Sequence, residues 1–326
     1  MVSDPDTTNP AVMEIRDFSN TICENVEKVI VGKRSSIELI LIALLCEGHV
    51  LIEDAPGTGK TMLARAIAIS SGLDFKRLQC TPDLLPNDVT GVSVFNQKTR
   101  EFEFRPGPTF SNILLTDEIN RATPRTQSAL LEAMGESQVT VDGVTYPLSK
   151  PFMVLATQNP IEFEGTFPLP EAQMDRFLMR LHIGYPDINS EDDMMQMQQL
   201  AHPIDSLKQV MDGQRIPQLQ NQVRQVHLVK SLRTYILNLV HASRDHPSLA
   251  LGASPRGSLA LFRAAQAHAA IQGRDFVIPD DIKHVAVACL AHRMFLNPEN
   301  LLSGETTIEV VQELLKRVEV PLSSLE

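Results

Sequence analysis

Seven consecutive residues, Ala55-Pro56-Gly57-Thr58-Gly59-Lys60-Thr61, combine small turn formers with a lysine and a hydroxyl. Glycines let backbone N–H groups turn inward around phosphate oxygens, and a helix that begins where the run ends adds its partial positive charge. A lysine at position 60 then reaches the β- and γ-phosphates of a nucleotide, and the Thr61 hydroxyl can ligate Mg2+. The general form of such a loop, GxxxxGK[ST], has glycine where this chain has Asp54.

Two further groups complete the chemistry. Ile113-Leu114-Leu115-Thr116 is an apolar strand that ends in Asp117-Glu118. Ligands of open α/β sheets sit at the carboxyl ends of strands, so these acids belong beside the phosphate loop. Asp117 suits Mg2+ held through its water shell, and Glu118 suits a general base that polarises an attacking water. The strand Phe152–Ala156 runs into Thr157-Gln158-Asn159-Pro160, where an amide can hydrogen-bond the water or the γ-phosphate. Asn before Pro is by itself a turn starter; its position after the other two motifs gives it weight.

Ser254-Pro255-Arg256 opens a helix, with a capping serine and a proline at the first position. The helix dipole disfavours a cation there by about 0.3–1 kcal/mol, which an anionic partner would offset. Arg176 has Glu171, Asp175 and Arg180 close in sequence, as a surface ion pair would. Arg121 and Arg125 follow Glu118 and are lesser candidates for a contact between subunits.

The elements that must position these groups are legible from periodicity. Val12, Ile15, Phe18, Ile22, Val26 and Ile30 form one helical stripe that Gly32 ends, and a second helix runs through Ile37–Cys46. His49–Ile52 is a buried strand, and a helix starts at about Lys60. Strands and helices then alternate to about Tyr185, the pattern of a mostly parallel sheet covered on both faces. Hairpins are expected around Asn96–Arg100 and at Asp142-Gly143, and both project from the α/β core. Ile188 to Gln225 reads as a connector in which methionines 194, 195 and 197 pack a helix. From about Val226 the chain reads as helices only, one of them with the stripe Leu259, Phe262, Ala269. His241 with His246, and His284 with His292, are expected on helix surfaces.

Composition narrows the function. Of 326 residues, 43% are apolar and 21% charged, as in a folded globular chain. Lys plus Arg total 29 against 40 for Asp plus Glu, a net charge of −11 that argues against sequence-independent nucleic-acid binding. Cys23, Cys46, Cys80 and Cys289 form no CxxC pair, and no histidine spacing suggests zinc, so no metal beyond Mg2+ is assigned. The longest apolar run, Leu39 to Cys46, is far short of a bilayer span. Residues 1–10 form a polar leader without secretory features, and the expected location is cytoplasmic.

The stretches LIEDAPGTGKT, LLTDEINRATPRTQSALLEAMGE, VLATQNPIEFEGTFPLPEAQMDRF and GASPRGSLAL resemble the MoxR family of AAA+ ATPases, from about Val12 to Leu296. In that family the position before the loop is often acidic, as Asp54 is. The resemblance implies an α/β fold: an αβα core over 11–186 with a parallel sheet and two hairpin insertions, a connector over 187–225, and a small all-α lid over 226–326. It implies ATP and Mg2+, with Val31 and Gly32 beside the adenine and Pro56, Gly57, Thr58, Gly59, Lys60, Thr61 and Met62 around the phosphates. Thr61 and Asp117 would hold the metal. Glu118 would be the base and Asn159 sensor 1. Arg176 would be a finger on a neighbour's nucleotide, and Arg256 a sensor 2 on its own. It further implies a homo-oligomer, a hexameric ring, working on a client protein with a separate von Willebrand factor A domain partner. A magnesium-chelatase-like or helicase-type motor and a non-catalytic nucleotide-gated scaffold are the rival readings. A GTPase is disfavoured because no NKxD-type segment is present.

Overall fold

A computed structural model describes residues 9–160, 165–199 and 202–321; residues 1–8 of the expected leader lie outside the described residues. Asn9 caps α1 (Pro10–Val26) by accepting the Ala11 N–H, and Pro10 occupies the first turn, where no donor is needed. α1 buries Val12, Ile15, Phe18, Ile22 and Val26 along the expected stripe. It stops one turn short of Ile30. α2 (Arg34–Leu45) buries every residue from Ile40 to Leu45, so it is a core helix rather than an amphipathic one.

The αβα part follows as β1 (Val50–Glu53), α3 (Lys60–Ser71), β2 (Phe75–Gln79), α4 (Pro86–Thr90), β3 (Gly91–Asn96), β4 (Glu101–Pro106), β5 (Ile113–Asp117), α5 (Pro124–Glu136), β6 (Gln138–Val141), β7 (Val144–Pro147), β8 (Met153–Gln158), α6 (Glu171–Met174) and β9 (Met179–Leu181). Five strands form one sheet in the order β2-β5-β8-β1-β9, and every pairing in it is parallel. β5 and β1 are buried along their lengths apart from half-buried Glu53, as strands covered on both faces must be. The expected insertions are the antiparallel pairs β3–β4 and β6–β7. They lean on each other, because Phe104 stacks on Tyr146 with ring centroids 4.1 Å apart.

The rest of the chain forms α7 (Ile188–Met197), α8 (Ile216–Val223), α9 (Lys230–Arg244), β10 (Leu249–Leu251), α10 (Pro255–Ile271), α11 (Pro279–Leu290), β11 (Phe295–Leu296), α12 (Pro298–Leu302) and α13 (Thr307–Arg317). The helical lid also carries a short antiparallel ribbon, β10 with β11, that periodicity does not announce. α10 and α11 pack together, α10 lies against α1 and α2, and α11 lies against β9. One apolar cluster therefore runs from Val12 to Leu314 and joins one face of the sheet to the lid, and a second, with Leu51, Leu114 and Val154, packs α5 on the other face.

Three local expectations are corrected. Met194, Met195 and Met197 are 38%, 65% and 46% exposed rather than packed, since α7 buries only Ser190. His246 and His292 are buried, not on helix surfaces, because His246 Nδ1 accepts the Ser248 N–H and His292 Nε2 donates to the Phe177 carbonyl. On α10 the expected stripe holds in part: Ala269 is buried and Phe262 packs partly buried on the core, but Leu259 is exposed, and Ala260, Leu261, Ala264 and Ala265 are buried as well. All four cysteines are free and buried. No helix among the described residues is long and apolar enough to cross a membrane.

The lid is knotted by one carboxylate. Asp281 accepts two bonds from Arg274 (2.6 and 2.7 Å) and one from the Ile278 N–H (2.7 Å), and His268 Nδ1 lies 2.6 Å away. Burial pushes this carboxyl up, but its bonds to Arg274, His268 and Ile278 outweigh that and hold it below the ordinary value. A depressed carboxyl stabilises the fold fully above the unfolded value of 3.8 and loses that effect as pH falls through the folded one. Asp281→Asn should cost about 3 kcal/mol near neutral pH by leaving Arg274 without its anion. Thermal melts of the two proteins should converge as pH falls below 3.8.

Candidate functional site

The loop after β1 is shaped before any ligand arrives. Gly57 and Gly59 sit at φ +85 and +82, the left-handed region that a side chain resists, and Gly59 is the residue from which α3 starts. A Cβ at Gly57 would meet nothing within 4 Å, so the loop is open on that side. The first-turn N–H groups of α3 lack intrahelical partners and suit an anion. Lys60 Nζ donates to the carbonyls of Asp54 (3.0 Å) and Ala55 (2.6 Å), which folds its side chain back over the loop. Pro56 and Thr58 lie in the loop, Thr61 and Met62 in the first turn of α3, and Thr58 Oγ1 donates to the Ala55 carbonyl. Ile30, just before Val31-Gly32, borders the loop: a Cβ on Gly59 would lie 3.9 Å from Ile30 Cδ1, whereas Gly32 faces Ser190 of α7.

Asp54 explains its own departure from the glycine pattern. Its Oδ2 accepts the N–H groups of Ile183 (2.8 Å) and Gly184 (2.6 Å), and its Oδ1 accepts that of Ala55 (3.0 Å). The carboxylate thus staples the start of the loop to the chain leaving β9.

The two acids at the end of β5 face this loop across β8. Asp117 is 7% exposed, with Oδ1 accepting from the Thr157 hydroxyl (3.2 Å) and Oδ2 from Arg77 Nε (2.7 Å). Thr157 Oγ1 also accepts the Glu118 N–H (2.9 Å), so one hydroxyl orients both acids. Glu118 adopts φ +56, a left-handed conformation uncommon for a side chain, and its carboxylate accepts from Arg121 Nη1 (2.9 Å). Partial burial pulls the Lys60 ammonium down, and the negative charges of Asp54, Asp117 and Glu118 oppose it. Asn159 follows β8 directly, next to Gln158, whose carbonyl accepts the Asp54 N–H (3.2 Å). Lys60, Asp117, Glu118 and Asn159 therefore share one sheet edge. The Thr61 hydroxyl and Asp117 carboxylate are hard oxygen donors of the kind Mg2+ takes.

The two arginines lie elsewhere, and together. Arg176 and Arg256 both line a cleft of about 310 Å3 with Glu47, Gly48, His49, Asp175 and Arg293. Gly48 and His49 precede β1, whereas Lys60 lies past its end; four strand residues span about 13 Å. Neither arginine is among the charges that act on Lys60. Within one chain Arg256 is thus not beside its own phosphate loop, which corrects the expected contact in cis. The lid packing against α1, α2 and β9 holds it at the opposite end of the strand. Arg176 donates to the Leu131 carbonyl (2.6 Å), not to the neighbouring acids, and no carboxylate among the described residues pairs with either guanidinium.

Thr157, Arg77 and Arg293 are positioning residues that sequence reasoning passes over. Thr157 stands within a motif already singled out, and only strand order reveals its role. Arg77 lies on the strand paired with β5, in register at Leu115, and carries no local signal.

The model of the ATPase family associated with various cellular activities (AAA) matches residues 49–179, and that of the AAA lid domain matches residues 241–314. The uncharacterized protein YeaC of Bacillus subtilis is 55% identical over 92% of this chain and 93% of its own length. Chaperone MoxR1 of Mycobacterium tuberculosis is 39% identical over 94% of this chain and 83% of its own. A solved structure from Cytophaga hutchinsonii, assigned as an ATPase, superposes with a TM-score of 0.90 at 39% identity, covering 96% of this chain and 98% of that one.

Asp54→Gly would restore the general loop signature yet leave the Ile183 and Gly184 N–H groups without their acceptor. Denaturant unfolding should show a loss of about 2 kcal/mol; no loss would mean that the carboxylate does not hold the loop.

Proposed function

This chain belongs to the MoxR family of AAA+ ATPases, and we propose that it hydrolyses ATP with Mg2+ in a closed ring of its own copies to remodel a client protein. The observation that carries the reading is the placing of Lys60 in the field of Asp117 and Glu118 at one sheet edge, with Asn159 beside them. In this reading Val31 and Gly32 border the adenine, and residues 56–62 surround the phosphates. Thr61 and Asp117 would hold Mg2+, which supplies positive charge against the phosphate oxygens.

Glu118 accepts the proton of the attacking water, and Thr157 aims it by holding its N–H. Asn159 orients that water. Lys60 swings from the loop carbonyls to the γ-phosphate, exchanging two neutral acceptors for an anion. Arg176 and Arg256 act together on the nucleotide of the adjacent copy, since both face out of one cleft remote from their own loop. A contact in which one face serves a different face of the next copy is heterologous, and it closes into a ring when the rotation allows. A hexamer is the family's expectation.

The division into a core over 11–186, a connector over 187–225 and a lid over 226–326 is part of the proposal, as is a cytoplasmic location. Protein clients fit the net charge of −11 better than nucleic acid does, and the relative named chaperone MoxR1 supports that direction. The exposed Phe95–Phe102 pair on the β3–β4 hairpin, 49% and 73% exposed, offers an apolar contact for a client. Maturation or metal insertion is the kind of work proposed, with a separate von Willebrand factor A domain protein as co-worker.

Glu118→Gln should keep ATP binding while turnover falls about 10²–10⁴-fold. Nucleotide titration alongside phosphate release tests this, and wild-type turnover would remove Glu118 as the base. Arg176→Ala and Arg256→Ala should each bind ATP normally yet lose about 10³-fold or more in turnover when assembled. Mixing either with Glu118→Gln protomers should restore activity if the arginines serve the neighbour. Salt-sensitive stimulation by DNA would instead favour a nucleic-acid motor.

A further inference from the structure

Asp175 joins the two arginine-bearing segments. Its Oδ2 accepts from the Ser254 hydroxyl (2.8 Å), and that same oxygen of Ser254 accepts the Arg256 N–H (3.1 Å) as the cap of α10. Its Oδ1 accepts from Arg293 Nε (2.7 Å). The next residue in the chain is Arg176, whose guanidinium lies against α5: Nη1 donates to the Leu131 carbonyl, and a Cβ on Gly135 would come within 2.6 Å of that nitrogen. One carboxylate therefore connects the stretch that carries Arg176 to the first turn that carries Arg256.

The anchor of this connection is buried. Arg293 has a side chain 3% exposed and donates to the carbonyls of Leu178 (3.0 Å), Phe177 (2.6 Å) and Cys289, as well as to Asp175. Those bonds span the end of α11, the chain entering β9, and Asp175. A buried guanidinium with fixed carbonyl partners cannot follow a wandering carboxylate, so Asp175 is held in one place. Arg176, Arg256 and Arg263 line the cleft without a carboxylate partner among the described residues, whereas Arg293 is paired. Arg293 thus belongs to the scaffold and the other arginines to the face.

We propose that Asp175 is a positioning residue that locks Arg176 and Arg256 into a single rigid unit, so that both reach the neighbouring copy's phosphates together. The proposal rests on the reading that these arginines act between copies. Core and lid then move as one body on this side of the cleft, and loosening either bond to Asp175 separates the two charges. Charges delivered separately lose rate without changing how tightly a copy holds its own nucleotide.

Asp175→Asn keeps the shape and removes the charge that Arg293 and Ser254 hold. ATP turnover of the assembled protein should fall about 10- to 100-fold, the scale of a displaced catalytic group, while the affinity of each copy for ATP stays unchanged. Ser254→Ala, which spares Arg293, should show a smaller drop with the same split, and it carries the test should Asp175→Asn fold poorly. In mixed assemblies, Glu118→Gln copies, whose arginine units are intact, should restore turnover to Asp175→Asn copies, as they do to Arg176→Ala copies. Unchanged turnover in both variants overturns the proposal, as does loss of ATP affinity in step with turnover. Rescue of Arg176→Ala but not of Asp175→Asn also overturns it while leaving the action between copies intact. Rescue of neither removes that underlying reading, and the proposal falls with it.

Discussion

β8 lies between β5 and β1, and the parallel register on both of its sides is the constraint on which the site depends. Ile52 pairs with Thr157 on one side, and Thr116 pairs with Ala156 on the other. Side chains alternate along a strand, so a slip of one residue would turn Thr157 to the opposite face and send its hydroxyl away from Asp117. In the observed register that hydroxyl orients the Asp117 carboxylate and the Glu118 N–H together. The central strands are buried on both faces, so the side chains of each face pack against what covers it. The geometry of the acids is therefore set by packing several residues below them, where the solvent-facing edge has no influence.

How much of this is legible in the sequence depends on how far apart the interacting residues are. The loop from Ala55 to Thr61 and the pair Asp117-Glu118 are contiguous, and the apolar runs that precede them mark strands. Their chemistry is written locally. The partners of Asp54 lie 129 and 130 positions away, and Thr157 meets Asp117 across 40 positions. Those bonds exist only through sheet order, which periodicity does not encode. The burial of His292 is hidden for the same reason, since its partner Phe177 lies 115 positions away.

α10 is misread for a different cause. Its sequence is rich in alanine, which lines either face of a helix with little contrast in hydrophobicity, so the stripe has no sharp register. Leu259 draws attention as the larger apolar residue, yet it is exposed, and the buried positions beside the expected Ala269 are mostly alanines, among them Ala260, Ala264 and Ala265. The small side chains let α10 lie close to α1, α2 and α11. That close packing fixes where the first turn of α10 points, and with it Arg256. The dipole argument finds a cation in want of an anion there, but whose anion it is depends on the lid's docking.

The charges are divided between opposite ends of β1. The loop end holds Lys60 among Asp54, Asp117 and Glu118, and the other end holds the exposed guanidinium groups of Arg176 and Arg256. On the proposed reading, one chain by itself brings a single lysine and a metal to the γ-phosphate, and its arginines stay about a strand length away. Two chains stacked head to tail bring all of them to one phosphate. The acidic loop edge of one copy then faces the arginine cleft of the next, a complementary pairing that steers assembly and weakens as salt screens it. On this reading hydrolysis draws charges from both copies, so the contact proposed to build the ring also completes the site. The proposal thus gives a copy without a neighbour a nucleotide site that lacks the charges required for cleavage.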